Sequence, residues 1–139
     1  PGAIIVDIAQ ETSDDHLSMD PWQSFTPTMD GRITSIEMRP NIYISGGGTV
    51  TGDLTIYAGE GVSGTDLHTQ AYSLASAGGM PWQTFVLTAP LVVSAGTVYT
   101  WELSGVSSMA HSTSDVYAGG RSSSSAYDMV FRVNLEVCI

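Results

Sequence analysis

Apolar and polar residues alternate over much of this chain, most clearly in its last segment. From 127 to 137 every second residue is apolar, and the residues between them are polar apart from Val130. A period of two places neighbouring side chains on opposite faces of a β-strand. We therefore predict a final strand with one face on a core, formed by Tyr127, Met129, Phe131, Val133, Leu135 and Val137, and the other near solvent, formed by Asp128, Arg132, Asn134 and Glu136.

Shorter segments of the same kind recur between glycine, proline and other turn residues. They predict strands at 4–9, 22–26, 33–39, 53–58, 70–74, 82–87, 91–93 and 98–103. Residues 66–75 would also suit a short helix, because Leu67, Ala71 and Leu74 follow helical spacing. We interpret this segment as a strand.

The connections between these strands are predicted from turn residues and polar runs. Asp30-Gly31 is a strong hairpin signal, so we expect a tight turn that joins the strands at 22–26 and 33–39. Residues 10–20 and the serine-rich segment 104–126 are predicted as loops.

Many short strands with glycine and proline between them favour an all-β fold. We predict an antiparallel β-sandwich, jelly-roll-like, with about eight to ten strands. A chain of 139 residues has the size of one domain, so 1–139 is predicted as a single β-sandwich domain. The inward positions of the strands predict a core of Phe25, Ile36, Leu54, Ile56, Phe85, Tyr99, Trp101, Met129, Phe131 and Val133.

One short sequence occurs twice. Pro21-Trp22-Gln23-Ser24-Phe25 is echoed by Pro81-Trp82-Gln83-Thr84-Phe85. Two copies do not indicate a repeat protein. We interpret them as two strand starts, each with an aromatic side chain at the rim of the sandwich.

The charge of the chain excludes several classes of partner. Four arginines and no lysine stand against 14 acidic residues, which gives a net charge of −10. Nucleic acid and anionic membrane surfaces are therefore not expected as partners, and no apolar stretch is long enough to insert as a membrane span. Only 13% of residues are charged, so Ser, Thr and Gly cover much of the exterior, as is common in secreted and surface-displayed proteins.

The chain has one cysteine, so no disulfide within it is possible. Cys138 is predicted to be a small buried residue of the last strand, and a bridge to another molecule is the alternative. The first residues lack the basic region of a signal peptide. Either a signal peptide has been removed, or an initiator methionine preceded Pro1.

No pattern for catalysis is found. There is no G-x-S-x-G elbow, lysine-dependent chemistry is impossible, and His16, His68 and His111 lie too far apart in sequence for a metal motif. Gly59 to Gly64 matches G-x-G-x-x-G but lacks the downstream acidic residue that dinucleotide binding needs. We therefore expect no enzyme and no resident cofactor.

Two groups of residues are candidates for binding. Asp14, Asp15 and Asp20 could supply oxygen ligands to Ca²⁺, although a solvated acidic loop explains them as well. Sugar binding needs an aromatic face with polar groups beside it. Tyr57, Asp115, Tyr117 and Arg121 offer these groups, and the alternative for Tyr117 is that it packs inward beneath the loop.

Several turn and core signals occur in a fixed order along the chain. They are Gln23-Ser24-Phe25-Thr26, Gly31-x-Ile33-x-x-Ile36, Trp82-Gln83-Thr84-Phe85, Val92-x-x-Ala95-Gly96-Thr97-x-Tyr99-Thr100, Tyr117-Ala118-Gly119-Gly120 and Asp128-x-x-Phe131-Arg132-Val133. This order resembles the jelly-roll accessory modules of secreted and surface-anchored bacterial proteins. The resemblance implies a non-catalytic β-sandwich and carries over no binding residue.

The functional expectation is a non-catalytic structural or adhesive module on an exterior surface. The chain would be part of a surface layer or an appendage, or a decoration protein on a virus particle. It is expected to form a homo-oligomer or to bind a host-particle protein. The termini or the 104–126 segment are expected to contact that partner. The alternative is a carbohydrate-binding accessory module with a glycan as its ligand.

Overall fold

The computed structural model describes residues 2–17, 21–106, 108–114, 116–123 and 127–138. The described residues form strands and loops, with no helix long and apolar enough to cross a membrane. In chain order the strands are β1 (Gly2–Gln10), β2 (Asp15–Leu17), β3 (Trp22–Phe25), β4 (Gly31–Met38), β5 (Thr49–Ala58), β6 (Asp66–Ala75), β7 (Gln83–Val93), β8 (Tyr99–Leu103), β9 (Met109–Ser112), β10 (Asp128–Met129) and β11 (Phe131–Cys138).

Two four-stranded antiparallel sheets pack face to face. The β1 sheet has the order β1-β11-β4-β7, and the β3 sheet has the order β3-β8-β5-β6. Among the eight strands of these two sheets, the chain changes sheet at every connection except the β5–β6 hairpin, and the first strand pairs with the last. This is the jelly-roll arrangement of two Greek keys. The predicted jelly-roll-like sandwich is therefore confirmed. A third sheet of short strands has the order β10-β9-β2.

The core lies between the inner faces of the two large sheets. All ten residues predicted for it are buried. Phe131 is at its centre, with ring centroids 6.4 Å from Phe25, 5.8 Å from Trp101 and 5.6 Å from Tyr117. The period of two was sufficient to identify these positions because each strand has one face on the opposite sheet.

The hairpin predicted at Asp30-Gly31 is wrong. β3 and β4 belong to different sheets, so this segment crosses the sandwich and does not close a ladder. The crossing is held by the turn between β7 and β8. The Ala95 amide donates to the Asp30 carboxylate at 2.8 Å, and the Gly96 amide donates to the Pro27 carbonyl at 2.9 Å.

Both predicted loop regions contain strands. β2 lies within 10–20 and β9 lies within 104–126, and these two strands pair with each other in the small sheet. Such short strands carry too few residues for a period to be read. In contrast, the segment 66–75 is a strand throughout, so the helical alternative is wrong there.

The predicted strands at 82–87 and 91–93 are one strand, β7, which continues through Pro90. Proline has no amide to donate to a ladder and is tolerated where that side of the strand has no neighbour. β7 is at the edge of the β1 sheet, which satisfies this condition.

The prediction that Cys138 is buried is wrong, because its side chain is exposed. Inward positions of β11 are odd-numbered, so residue 138 falls on the outer face, opposite Gly2 of β1. A bridge to another molecule stays a prediction.

The repeated segment marks two equivalent strand starts, as predicted. β3 begins at Trp22, and β7 begins directly after Trp82. Both tryptophans are half-buried, and each has an arginine guanidinium over its ring. Arg121 Cζ lies 4.9 Å from the ring centroid of Trp22, and Arg132 Cζ lies 3.8 Å from that of Trp82. Phe25 and Phe85, three residues further on, enter the core.

Gly105 is expected to be intolerant of a side chain. Its φ is +86°, and a Cβ there would collide with the Thr51 carbonyl oxygen. Gly46 has a φ of +87° but open space around it, so it is a matched control. Gly46→Ala should cost only the strain of a left-handed residue, about 1–2 kcal/mol, and Gly105→Ala should cost more. Urea denaturation measures the loss of unfolding free energy in both variants, and equal losses would contradict the predicted collision at Gly105.

Candidate functional site

The outer face of the β3 sheet gathers aromatic and acidic side chains. The register places Trp22 opposite Glu102, and Glu102 opposite Thr55 on the next strand. In the neighbouring row Thr100 is opposite Tyr57. The side chains of these residues therefore share one face, opposite the one that covers the core.

Two polar pairs organise this face. The Tyr57 hydroxyl donates to Glu102 Oε1 at 3.1 Å, and partial burial together with this carboxylate raises the pKa of Tyr57 above its usual range. Arg121 lies over the Trp22 ring and pairs with Glu60, with 2.9 Å between Nε and Oε2. Each aromatic ring therefore has a fixed hydrogen-bonding or charged group beside it.

Arg121 is positioned by a loop that runs along the edge of β3. The Ser24 amide donates to the Arg121 carbonyl at 2.8 Å, and the Ser123 amide donates to the Trp22 carbonyl at 3.0 Å. Gly120 lies so close to the Ser24 carbonyl that a Cβ would not fit. The loop thus pairs with β3 in place of a further strand.

The structure brings two of the four residues predicted for ligand binding onto this face, Tyr57 and Arg121. Asp115 lies outside the described residues. Tyr117 packs inward, which is the alternative interpretation: its ring meets Phe131 edge-on, and its hydroxyl accepts from the Thr26 amide at 3.0 Å. Burial raises the pKa of Tyr117.

Sequence reasoning missed Trp22, Glu60 and Glu102 as members of the same face. The Trp22 signal was present in the repeated segment, but its neighbours depend on the order of strands in the β3 sheet. Period alone gives the face of each strand and not which strands adjoin.

Of the residues considered for Ca²⁺, Asp14 is already engaged. Its carboxylate accepts from the Thr113 amide at 2.9 Å and the Thr113 hydroxyl at 2.8 Å, and these bonds lower the pKa of Asp14. Asp15 begins β2, and Asp20 lies outside the described residues. Among the side chains that the structure describes, no three His, Cys, Asp or Glu form a group that could hold a metal ion.

Asp14 should make stability depend on pH. A carboxyl whose pKa is lowered by folding stabilises the protein above its unfolded pKa and loses that contribution as pH falls through the folded value. The difference in unfolding free energy between wild type and Asp14→Asn should therefore be largest near neutral pH and shrink below about pH 4. Urea denaturation across pH measures it, and a difference that does not change with pH would contradict it.

A buried polar cluster lies beneath the Tyr117 loop, at a position predicted to face solvent. Asp128 is 1% exposed, and its carboxylate accepts from Gln23 Nε2 at 3.0 Å and from the Tyr117 amide at 2.9 Å. The prediction for Asp128 is wrong because β10 belongs to the small sheet, so its neighbours are not those of β11. The prediction that Asn134 faces solvent is also wrong, since it is buried on the outer face of the β1 sheet, where its amide donates to Ser35 and Glu37 of β4 at 2.9 Å each.

The outer face of the β1 sheet is apolar at its two edges. Ile4 and Val6 on β1 are 59% and 56% exposed, and Val86 and Val92 on β7 are 67% and 71% exposed. A solvated sheet face usually carries polar side chains at such positions.

The middle of this face is a polar ladder. Arg32 pairs with Glu136, while Arg132 bonds Glu11 at 2.5 Å and Glu37 at 3.2 Å. Two arginines therefore meet three glutamates here, and the face is close to neutral in a strongly acidic chain. At one end a groove of about 650 Å³ is lined by Asp30, Arg32, Val92, Glu136 and Cys138, among others.

Comparison of the sequence with known proteins gives no relative from which a role could be transferred. No protein-family model matches the chain, and no curated protein matches it.

Proposed function

We propose that this chain is a non-catalytic structural or adhesive module that works by protein–protein association on an exterior surface. A surface layer, an appendage or a virus particle would provide such a surface. The observation that carries the proposal is the outer face of the β1 sheet, where four β-branched side chains are each more than half exposed. The two apolar pairs lie at opposite edges of this face with the polar ladder between them, and a sheet face covered by solvent alone usually carries polar side chains at such positions.

The electrostatics of the chain support the same face. With a net charge of −10, a second copy or any acidic partner is repelled by most of the surface. The polar ladder of the β1 sheet is already paired internally, so a contact beside it leaves few charges without partners. Approach on this face therefore meets less repulsion than approach on a face with unpaired carboxylates would.

Sedimentation velocity tests the proposal on the full chain. We expect a mass that rises above the 14.7 kDa of one copy as the protein is concentrated. Added salt should strengthen the association, because it screens repulsion between acidic copies. The proposal would be contradicted if the protein stayed monomeric at high concentration and high salt and also bound no protein of the exterior surface that displays it.

A second candidate function is carbohydrate binding, and the outer face of the β3 sheet favours it. Trp22 with Arg121 and Tyr57 with Glu102 place rings beside fixed polar groups, as sugar recognition requires.

A glycan array separates the two candidates, with a matched pair of variants. If sugars bind on this face, Trp22→Ala should lose the signal and Trp82→Ala should keep it, since Trp82 carries its arginine on the other sheet. Tight binding of a defined oligosaccharide by a monomeric protein would replace the first proposal with the second. The absence of any signal would remove the second.

A further inference from the structure

Two of the outer sheet edges are covered from within the chain. At β7 the side chain of Gln70 substitutes for a neighbouring strand: its amide nitrogen donates to the Val86 carbonyl at 3.0 Å, and its oxygen accepts from the Thr88 amide at 2.9 Å. Pro90 further limits pairing there. At β3 the loop through Arg121 occupies the edge.

The edge at β1 has no such cover. β1 pairs with β11 on one side, and on the other side residues 2–6 make no backbone hydrogen bond to any residue that the structure describes. This stretch contains no charged residue and no proline, which are the usual means of protecting an edge. Unpaired amides and carbonyls next to exposed Ile4 and Val6 favour the addition of a strand.

We propose that β1 pairs antiparallel with β1 of a second copy of this chain, joining two four-stranded sheets into one continuous sheet. This inference rests on the proposed function and names its partner. A two-fold axis at Ile5 would place Ile4 opposite the partner's Val6, and Val6 opposite the partner's Ile4. Two cross-strand apolar pairs then cover the side chains that are exposed in one copy.

The identity of the partner follows from symmetry and charge. A two-fold axis perpendicular to the sheet runs the two β1 strands antiparallel and presents the same edge from each copy, so the edge is complementary to itself. The only charged residue of β1 is Asp7, and its carboxylate accepts from both the amide and the hydroxyl of Thr28. The next charges inward, Arg32 and Glu136, pair with each other. Two copies therefore meet without a facing pair of unbalanced charges.

The pairing is expected to be reversible. It spans residues 3–7 and ends at the bulge near Asp7, so its area is well below that of an obligate dimer. Association should therefore depend on protein concentration.

Sedimentation equilibrium on matched variants tests the inference. Val6→Lys and Val86→Lys place the same charge on the same face of the same sheet, at positions of similar exposure but on opposite edges. We expect Val6→Lys to weaken self-association at least about tenfold, because each lysine would face the partner's Ile4 and replace an apolar cross-strand pair. Val86→Lys lies on the same face but outside the β1 pairing, so it should weaken self-association clearly less than Val6→Lys does.

The outcomes distinguish the inference from the proposed function. If wild type associates and Val6→Lys has no greater effect than Val86→Lys, β1 pairing is overturned and association through another surface stands. If wild type does not self-associate at all, β1 pairing is overturned, and the proposed function then stands only if the chain binds a different protein.

A cross-linking experiment tests the register and needs no charged variant. In a Cys138→Ser background, Ile4→Cys and Val6→Cys proteins are oxidised separately and as a mixture. The mixture should form more disulfide-linked dimer than either protein alone, because position 4 faces position 6 across the axis. Equal yields in all three samples would overturn the register.

Discussion

Phe131→Ala is expected to lower the free energy of unfolding by about 3–5 kcal/mol. Phe131 is fully buried and is the first residue of β11, which lies between β1 and β4. Its ring contacts aromatic residues from β3, β8 and the Tyr117 loop. Removal of the ring would leave a cavity that these rigid neighbours cannot fill by small movements.

Urea denaturation followed by tryptophan fluorescence measures this loss. Tyr43→Ala is the control, because the Tyr43 side chain is 63% exposed and its removal should change stability by no more than about 0.5 kcal/mol. A loss below about 1 kcal/mol for Phe131→Ala would mean that the two sheets do not pack as described.

Asp128→Ala is expected to cost about 2–4 kcal/mol, because two buried donors lose their acceptor. Gln23 Nε2 and the Tyr117 amide both donate to this carboxylate, and Gln23 also accepts from the Met129 amide at 2.8 Å. The cluster joins β3, β10 and the Tyr117 loop, so its loss should loosen the end of the sandwich that holds the small sheet.

Asp53→Ala is the matched control for this second variant, since Asp53 is an exposed acid on β5. The same denaturation experiment should show little change for it. If Asp128→Ala and Asp53→Ala were equally stable, the buried acceptor role of Asp128 would be wrong.

Alternation of side chains was enough to predict the sandwich and its core. Phe25, Leu54 and Phe131 were identified because each lies on the regular inward face of a strand with several alternating residues. Asp128 deviated because long-range partners override the local pattern there. Asp128 is buried by the small sheet, whose strands are too short to carry a period.

The candidate surfaces were only partly predictable for a related reason. Tyr57 and Arg121 were named from the sequence, but their link through Trp22 and Glu102 depends on which strands adjoin in the β3 sheet. The exposure of Ile4 and Val6 likewise depends on β1 being an edge strand, since the same sequence in a central strand would be covered on both sides.

Hydrogen–deuterium exchange at low and high protein concentration tests the central claim most directly, since it shows both whether the chain associates and where. We expect amides on the β1 sheet, in residues 3–7 above all, to exchange more slowly as the protein is concentrated, with no change along β5 and β6. Exchange that is independent of concentration throughout the chain, or protection confined to the β3 sheet, would contradict the account.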